Sequence, residues 1–282
     1  MPFDKKDLQK LFIPAKNSNG EDNGQVTIIG GSELFHGAPL LCLTVASRIV
    51  DMVFFTSPEK SVGSIAEKIK SKLLSFIWVP WNEIESYIEK SDAVLIGPGM
   101  ERYRSEKATE EERLSCDEAC QLTKSLTENL LAKFPNKKWV IDAGSLQTID
   151  PKFIPENAIL TPNKKEFKIL FGEKFSESNA LKKAKEYNCI IVVKGPITYV
   201  FNNHEVIEIG GGNAGMTKGG TGDVQAGLTV ALLAKNDPML SACAAAYIIK
   251  ATADELYKIK GIYYNADDLA LKIPEILNIL IK

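Results

Sequence analysis

The sequence predicts an α/β fold in which a mainly parallel sheet is covered by helices on both faces. Two observations carry that expectation. Short apolar, β-branched runs alternate with longer stretches of helical spacing, the pattern of strand–helix–strand units. The 282 residues are 45% apolar and 25% charged, the mix of a globular protein with a sizeable core.

The strand runs, each bounded by turn residues, are 26–29, 51–56, 76–79, 92–96, 138–142, 158–160 and 189–193. Helical spacing covers 38–49, 60–72, 82–90, 109–132 and 176–187. After residue 195 the pattern changes. Runs 198–201 and 204–209 flank the turn Phe201-Asn202-Asn203-His204 and predict an antiparallel hairpin at one sheet edge. Helices over 221–235, 239–259 and 266–281 then close the chain. The first two are apolar nearly all round (Val224, Leu228, Val230; Ala242, Ala245, Ile248), so they are expected to lie buried against the sheet.

Residues 1–24, with the polar run 16–24, read as a flexible lead-in, and 25–282 as a single domain. The charged stretch 100–116 reads either as a loop near a site or as the solvated start of a helix. Lys and Arg total 34 against 36 Asp and Glu, a net charge of −2 that gives no electrostatic reason to expect nucleic acid or an acidic membrane as partner. Any anion must therefore be bound locally. No signal peptide opens the chain and no apolar run is long enough to cross a bilayer, so a cytoplasmic location is expected. The five scattered cysteines read as reduced thiols; Cys116 and Cys120 fall one helical turn apart, but no second pair completes a metal site.

The sharpest local feature runs from Gly210 to Asp223 (GGGNAGMTKGGTGD) into an apolar helix. Glycines there permit close backbone approach, and the amides of Gly220, Thr221 and Gly222 can converge at a helix start, where unpaired N–H groups and partial positive charge suit a phosphate. The Walker spacing is absent. Asp223 follows as a first-turn carboxylate. A helix-capping role is one reading, but the loop holds more glycine than a cap needs, and a carboxylate aimed at an anion pocket is a natural general base.

Other positions stand at the ends of strand runs, where α/β folds bind ligands. Lys194 ends IIVVK and is read as a phosphate contact. Asp142 is either an Asx turn residue or a site carboxylate. Gly97 and Gly99 bring backbone close to a ligand or merely make a tight turn. Glu166 stands three residues after Asn163, as a capping-box partner would. Lys218 either reaches a phosphate or lies on the surface. His36 and His204 have no partner pattern for metal or triad chemistry, and His204 reads as a turn residue.

Gly219-Gly220-Thr221-Gly222-Asp223 opening a buried helix resembles the signature of the ribokinase-like superfamily. More narrowly, Gly30-Gly31-Ser32 with Gly37-Ala38-Pro39, Gly97-Pro98-Gly99, Asp142-Ala143-Gly144-Ser145-Leu146, Thr161-Pro162-Asn163 through Glu166, Lys194 through Thr198, and Asn213-Ala214-Gly215 through Gly227 are together similar, in order and spacing, to the ADP/ATP-dependent NAD(P)H-hydrate dehydratases. The resemblance spans about residues 25–280 and implies a three-layer sandwich with a small antiparallel edge.

It further implies repair of hydrated NADH or NADPH at the expense of ADP or ATP, with Mg²⁺ borne on the phosphates. Asp223 would be the base; Ala38, Gly97, Gly99, Asp142 and Asn163 would meet the hydrated dinucleotide. Lys194, Gly195, Pro196, Ile197, Thr198, Gly220, Thr221 and Gly222 would meet the adenine nucleotide. Asn163 departs from the family's usual histidine: it keeps hydrogen-bonding capacity but does not titrate near neutral pH. A homotetramer or similar assembly, with any epimerase on a separate chain, is also implied. A small-molecule kinase sharing the loop and base, or a nucleotide-binding protein with little catalysis, are the competing readings; no inserted lid hairpin of the sugar-kinase kind is visible near the start of the chain.

Overall fold

The computed structural model describes residues 1–102 and 118–282. From residue 103 onward, the charged stretch 100–116 lies outside the described residues, as does Cys116 of the Cys116/Cys120 spacing. Strands β1 (Gln25–Ile29), β2 (Met52–Thr56), β3 (Ile77–Trp78), β4 (Ala93–Ile96), β5 (Lys138–Ile141), β6 (Ile159–Leu160), β7 (Ile190–Val193), β8 (Thr198–Phe201) and β9 (Val206–Ile209) form one sheet in the order β3-β2-β1-β4-β5-β6-β7-β8-β9. Pairing is parallel from β3 to β7 and antiparallel for β7–β8 and β8–β9, the edge hairpin expected from the turn at Asn202 and Asn203.

The helices are α1 (Gly37–Ala46), α2 (Lys60–Ile69), α3 (Ile84–Lys90), α4 (Glu118–Lys133), α5 (Ala143–Thr148), α6 (Lys164–Phe171), α7 (Glu177–Glu186), α8 (Thr221–Leu233), α9 (Pro238–Lys260) and α10 (Ala266–Leu280). Successive strand residues enter opposite layers, as the pleat requires. Val26, Ile28, Ala93, Leu95 and Val140 pack with Leu43 of α1 and Val230 of α8, whereas Val94, Ile96, Trp139 and Ile141 pack with Ile88 of α3, Leu131 of α4 and Phe167 of α6. All of these are almost wholly buried, which is why the strand runs carry no polar face. Helices α8, α9 and α10 share a further cluster around Leu228, Ile248 and Leu269.

The first residues of the lead-in pack onto the domain. A 3-10 turn over Lys5–Lys10 buries Leu8, and Leu11 follows it into the α8–α10 cluster. The Met1 amino group donates to the Val206 carbonyl at 2.8 Å, and Phe3 N donates to Glu208 O at 3.0 Å, so the first residues extend the β9 edge. The apolar pair that docks this segment, Leu8 and Leu11, is too short to show a period. Helices α5 and α6 likewise carry no periodic signal, because six and eight residues span too few turns. Cys42, Cys189 and Cys243 are buried free thiols, whereas Cys120 is disulfide-bonded, against the expectation that all five cysteines are reduced. No helix among the described residues is long and apolar enough to cross a membrane.

Candidate functional site

The neighbours of β1 are β2 on one side and β4 on the other, so strand order reverses there and opens a crevice at the carboxyl edge. Residues leaving β1, β4, β5, β6 and β7 meet at that edge: Gly30, Gly97, Asp142, Thr161 and Lys194. Gly31 N donates to Pro98 O at 2.8 Å, locking the first two turns together. Gly97 adopts φ +118°, and a Cβ there would stand 1.9 Å from the Asp142 carbonyl. The third turn lies where a side chain would be, so a residue with a Cβ is excluded there.

Asp142 is 2% exposed, and its Oδ1 accepts from Lys194 Nζ at 2.9 Å and from Thr161 Oγ1 at 2.6 Å. Glu166, also buried, closes a capping box with Asn163: Asn163 N donates to Glu166 Oε2 at 2.8 Å, and Glu166 N to Asn163 Oδ1 at 3.0 Å. Gln147 Nε2 holds the other Glu166 oxygen at 3.1 Å. The capping reading of Glu166 therefore describes its geometry, and Asn163 is a cap whose oxygen is taken by two backbone amides.

Gly220, in the left-handed region at φ +91°, caps α8, and Thr221 Oγ1 donates to Lys218 O at 3.0 Å. The first N–H groups of α8 have no intrahelical acceptor and face the crevice end. Asp223 is in this first turn, half-buried, its carbonyl receiving the Cys42 thiol at 3.1 Å from α1. Burial raises the Asp223 pKa to about 7; the Asp142 and Glu166 charges push the same way and Lys194 opposes them. Burial likewise raises Glu166, with Lys194 opposing and Asp142 assisting. Burial disfavours the Lys194 charge, but Asp142, Glu166 and Asp223 outweigh it and hold the ammonium protonated. Three carboxylates thus act on one lysine, Asp142 in direct contact and the other two through space, and Asp223 is poised near neutrality.

Two cavities flank this cluster. The larger, about 660 Å³, is lined by Ala38, Gly99, Asp142, Asn163, Gly220 and Asp223, together with Phe35 and Arg102. The other, about 580 Å³, is lined by Gly195, Pro196, Thr198, Thr221 and the 211–218 loop. Lys194 and Gly222 line both. Gly97 and Ile197 line neither; Ile197 is 45% exposed. Lys218 lines both cavities while its ammonium bonds the Ile262 carbonyl and lies 5.4 Å from the Tyr264 ring centroid. His36 precedes α1 without a side-chain capping bond, and the His204 amide closes the β8–β9 turn onto Asn202 Oδ1 at 2.8 Å.

A model of the NAD(P)H-hydrate dehydratase family matches residues 26–275. The chain belongs to that family. It is 36% identical over 283 residues to the bifunctional NAD(P)H-hydrate repair enzyme Nnr of Methanocaldococcus jannaschii, covering 97% of this chain and 52% of that protein. It is 30% identical to the ADP-dependent (S)-NAD(P)H-hydrate dehydratase of Nitrosopumilus maritimus, covering 97% and 94% of the two chains. The chain spans about half the length of the bifunctional relatives it matches. The ADP/ATP-dependent NAD(P)H-hydrate dehydratase of Bacillus subtilis, co-crystallised with ATP and Mg²⁺, superposes with a TM-score of 0.77 at 21% identity, covering 99% of this chain and 98% of that one. A ribokinase-like protein of Enterococcus faecalis gives the same TM-score, 0.77, at 21% identity. The three-layer ribokinase-like fold follows.

In this NAD(P)H-hydrate dehydratase family member, sequence reasoning missed two residues of the smaller cavity. Lys250 is 4% exposed and gives its ammonium to three backbone carbonyls. Gln225, 6% exposed, carries a buried amide nitrogen with no partner. A signal for Lys250 was present: like Lys194, it interrupts an apolar run (YIIKA).

Proposed function

We propose that the chain dehydrates hydrated NADH or NADPH with ADP or ATP as phosphoryl donor. One observation carries the reading: Asp223, raised to about 7, stands beside Gly222 and Lys194, which border both cavities. Two phosphate-bearing ligands in those cavities would meet at that carboxylate. The hydrate would occupy the cavity of Ala38, Gly99, Asp142 and Asn163, and the nucleotide that of Gly195, Pro196, Thr198, Thr221 and Gly222.

In this mechanism the hydrate oxygen attacks the terminal phosphorus, its proton passes to the Asp223 carboxylate, and AMP or ADP leaves. The ring nitrogen lone pair then expels the new phosphate, breaking the carbon–oxygen bond, and loss of the neighbouring carbon's proton restores the dihydropyridine. The chain's part is to orient the ligands and stabilise charge: α8 amides and Lys194 at the phosphates, Asp223 at the proton.

The described residues hold no group of three or more candidate metal ligands, whereas amides and lysines line the smaller cavity. That donor set fits Mg²⁺ carried on the nucleotide's own phosphates, where the ion would neutralise charge on the transferring group. Assembly as a homo-oligomer and a cytoplasmic location complete the proposal. Light scattering measures the first.

The test is incubation with hydrated NADH and ADP or ATP, following recovery of the reduced-nicotinamide absorbance and release of phosphate. Asp223→Asn should lower turnover by about 10²–10⁴-fold while still binding nucleotide. A stable phosphoester in place of released phosphate would make the chain a kinase. Nucleotide binding without turnover would make it a binding protein.

A further inference from the structure

We infer that Lys250 is a positioning residue for the phosphate-bearing nucleotide, a role that rests on the assignment of the smaller cavity as the nucleotide site. Its Nζ donates to Gly195 O at 3.2 Å, Pro196 O at 2.6 Å and Gly211 O at 3.2 Å. These three bonds use all three ammonium protons. The carbonyls come from two segments of the cavity wall, the β7–β8 turn and the loop after β9.

Carbonyl oxygens left free at such a wall would face the phosphate oxygens of a nucleotide and repel them. Drawn onto one ammonium, they instead point at a buried cation, and the net charge of the wall becomes positive. No carboxylate of the described residues lies within ion-pairing distance of Lys250. The Asp254 carboxylate, one helical turn on, is spent on Gly212 N at 3.0 Å and Asn213 Nδ2 at 3.3 Å. The Tyr264 hydroxyl donates to Asn213 Oδ1 at 2.7 Å. One face of α9 therefore holds the 211–213 backbone in place through Lys250 and Asp254. A buried lysine needs compensation to stay charged, and burial does lower its pKa. The Asp254 charge opposes that shift, and the three carbonyl dipoles of the cavity wall meet the ammonium directly.

The assignment predicts a separation of kinetic effects. Isothermal titration with ADP and Mg²⁺, and steady-state kinetics, would be run on the wild type, Lys250→Met, Lys250→Gln and Lys250→Arg. Lys250→Met should weaken ADP binding about tenfold or more. At saturating nucleotide, kcat and the KM for hydrated NADH should stay within about threefold of the wild type. Lys250→Arg, which restores a cation and several donors, should recover part of the affinity. A folded Met variant that binds ADP as the wild type does, or that loses kcat and both KM values together, overturns the inference. If the Met variant does not fold, the Gln variant decides by the same comparison. A wild type that binds neither ADP nor ATP overturns the nucleotide site along with it.

Discussion

Lys194 Nζ stands 2.9 Å from Asp142 Oδ1, joining the ends of β7 and β5 across the intervening β6. Its ammonium also lies 3.4 Å from where a Cβ on Gly222 would be, so the pair reaches the first turn of α8. One cation therefore sets the electrostatics of the edge where both cavities meet.

Breaking this pair from one side should be costly. Lys194→Met leaves Asp142, 2% exposed, without its cation, and we expect the unfolding free energy to fall by about 3–5 kcal/mol. Lys194→Met with Asp142→Leu should recover most of that loss, though not activity. Urea unfolding of both variants measures this; a single variant within about 1 kcal/mol of wild type would place the pair among weakly contributing ion pairs.

The raised Asp223 pKa predicts two pH effects of opposite sense. As a base it must be ionised, so kcat/KM should climb as pH rises through about 7 and then level off. For stability, the folded-state value of about 7 exceeds the ordinary 3.8, so the protonated form favours folding. That contribution is full below the lower value and is lost as pH rises through the higher one. Asp223→Asn should therefore stabilise the protein more at high pH than at low, by on the order of 1–4 kcal/mol. Thermal unfolding at about pH 5 and about pH 8 checks the sign; an equal effect at both would mean an unperturbed carboxylate.

Two glycine positions separate crowding from backbone strain. Gly97→Ala places a Cβ 1.9 Å from the Asp142 carbonyl at φ +118°, and should cost more than about 3 kcal/mol and displace Asp142. Gly172→Ala, at φ +71° with nothing within 4 Å, should cost only about 1–2 kcal/mol. Equal denaturation midpoints for the two variants would remove the packing role of Gly97.

Ile197 lies inside the Lys194–Thr198 motif yet is 45% exposed and lines neither cavity. Ile197→Ala should leave the ADP dissociation constant within about twofold, whereas Thr198→Val should weaken it by about 1 kcal/mol if the hydroxyl meets the nucleotide. Titration calorimetry distinguishes them, and a large loss at Ile197 would mean that the turn closes over the ligand.

Much of this architecture was legible along the chain. The strand runs, the edge hairpin and the three closing helices are local patterns, each set by burial of neighbouring residues. Asp223 and Lys194 were visible because a carboxylate after clustered glycines and a lysine ending an apolar strand both break local rules. Short elements were not: α5, α6 and the docked Leu8–Leu11 segment lack the length to show a period. At Gly97 a glycine reads the same along the chain whether a ligand or another turn fills the missing side chain's place; the structure puts the Asp142 carbonyl there.

The sequence alone determined the layered α/β class, the glycine-rich helix start and its carboxylate, since each is written in adjacent residues. Tertiary structure alone decided that Asp142, Glu166 and Asp223 act on Lys194, that two cavities meet beside Gly222, and that Lys250 gathers three distant carbonyls. These depend on strand ends brought to one edge by the sheet order, and charges interact through space and not along the chain.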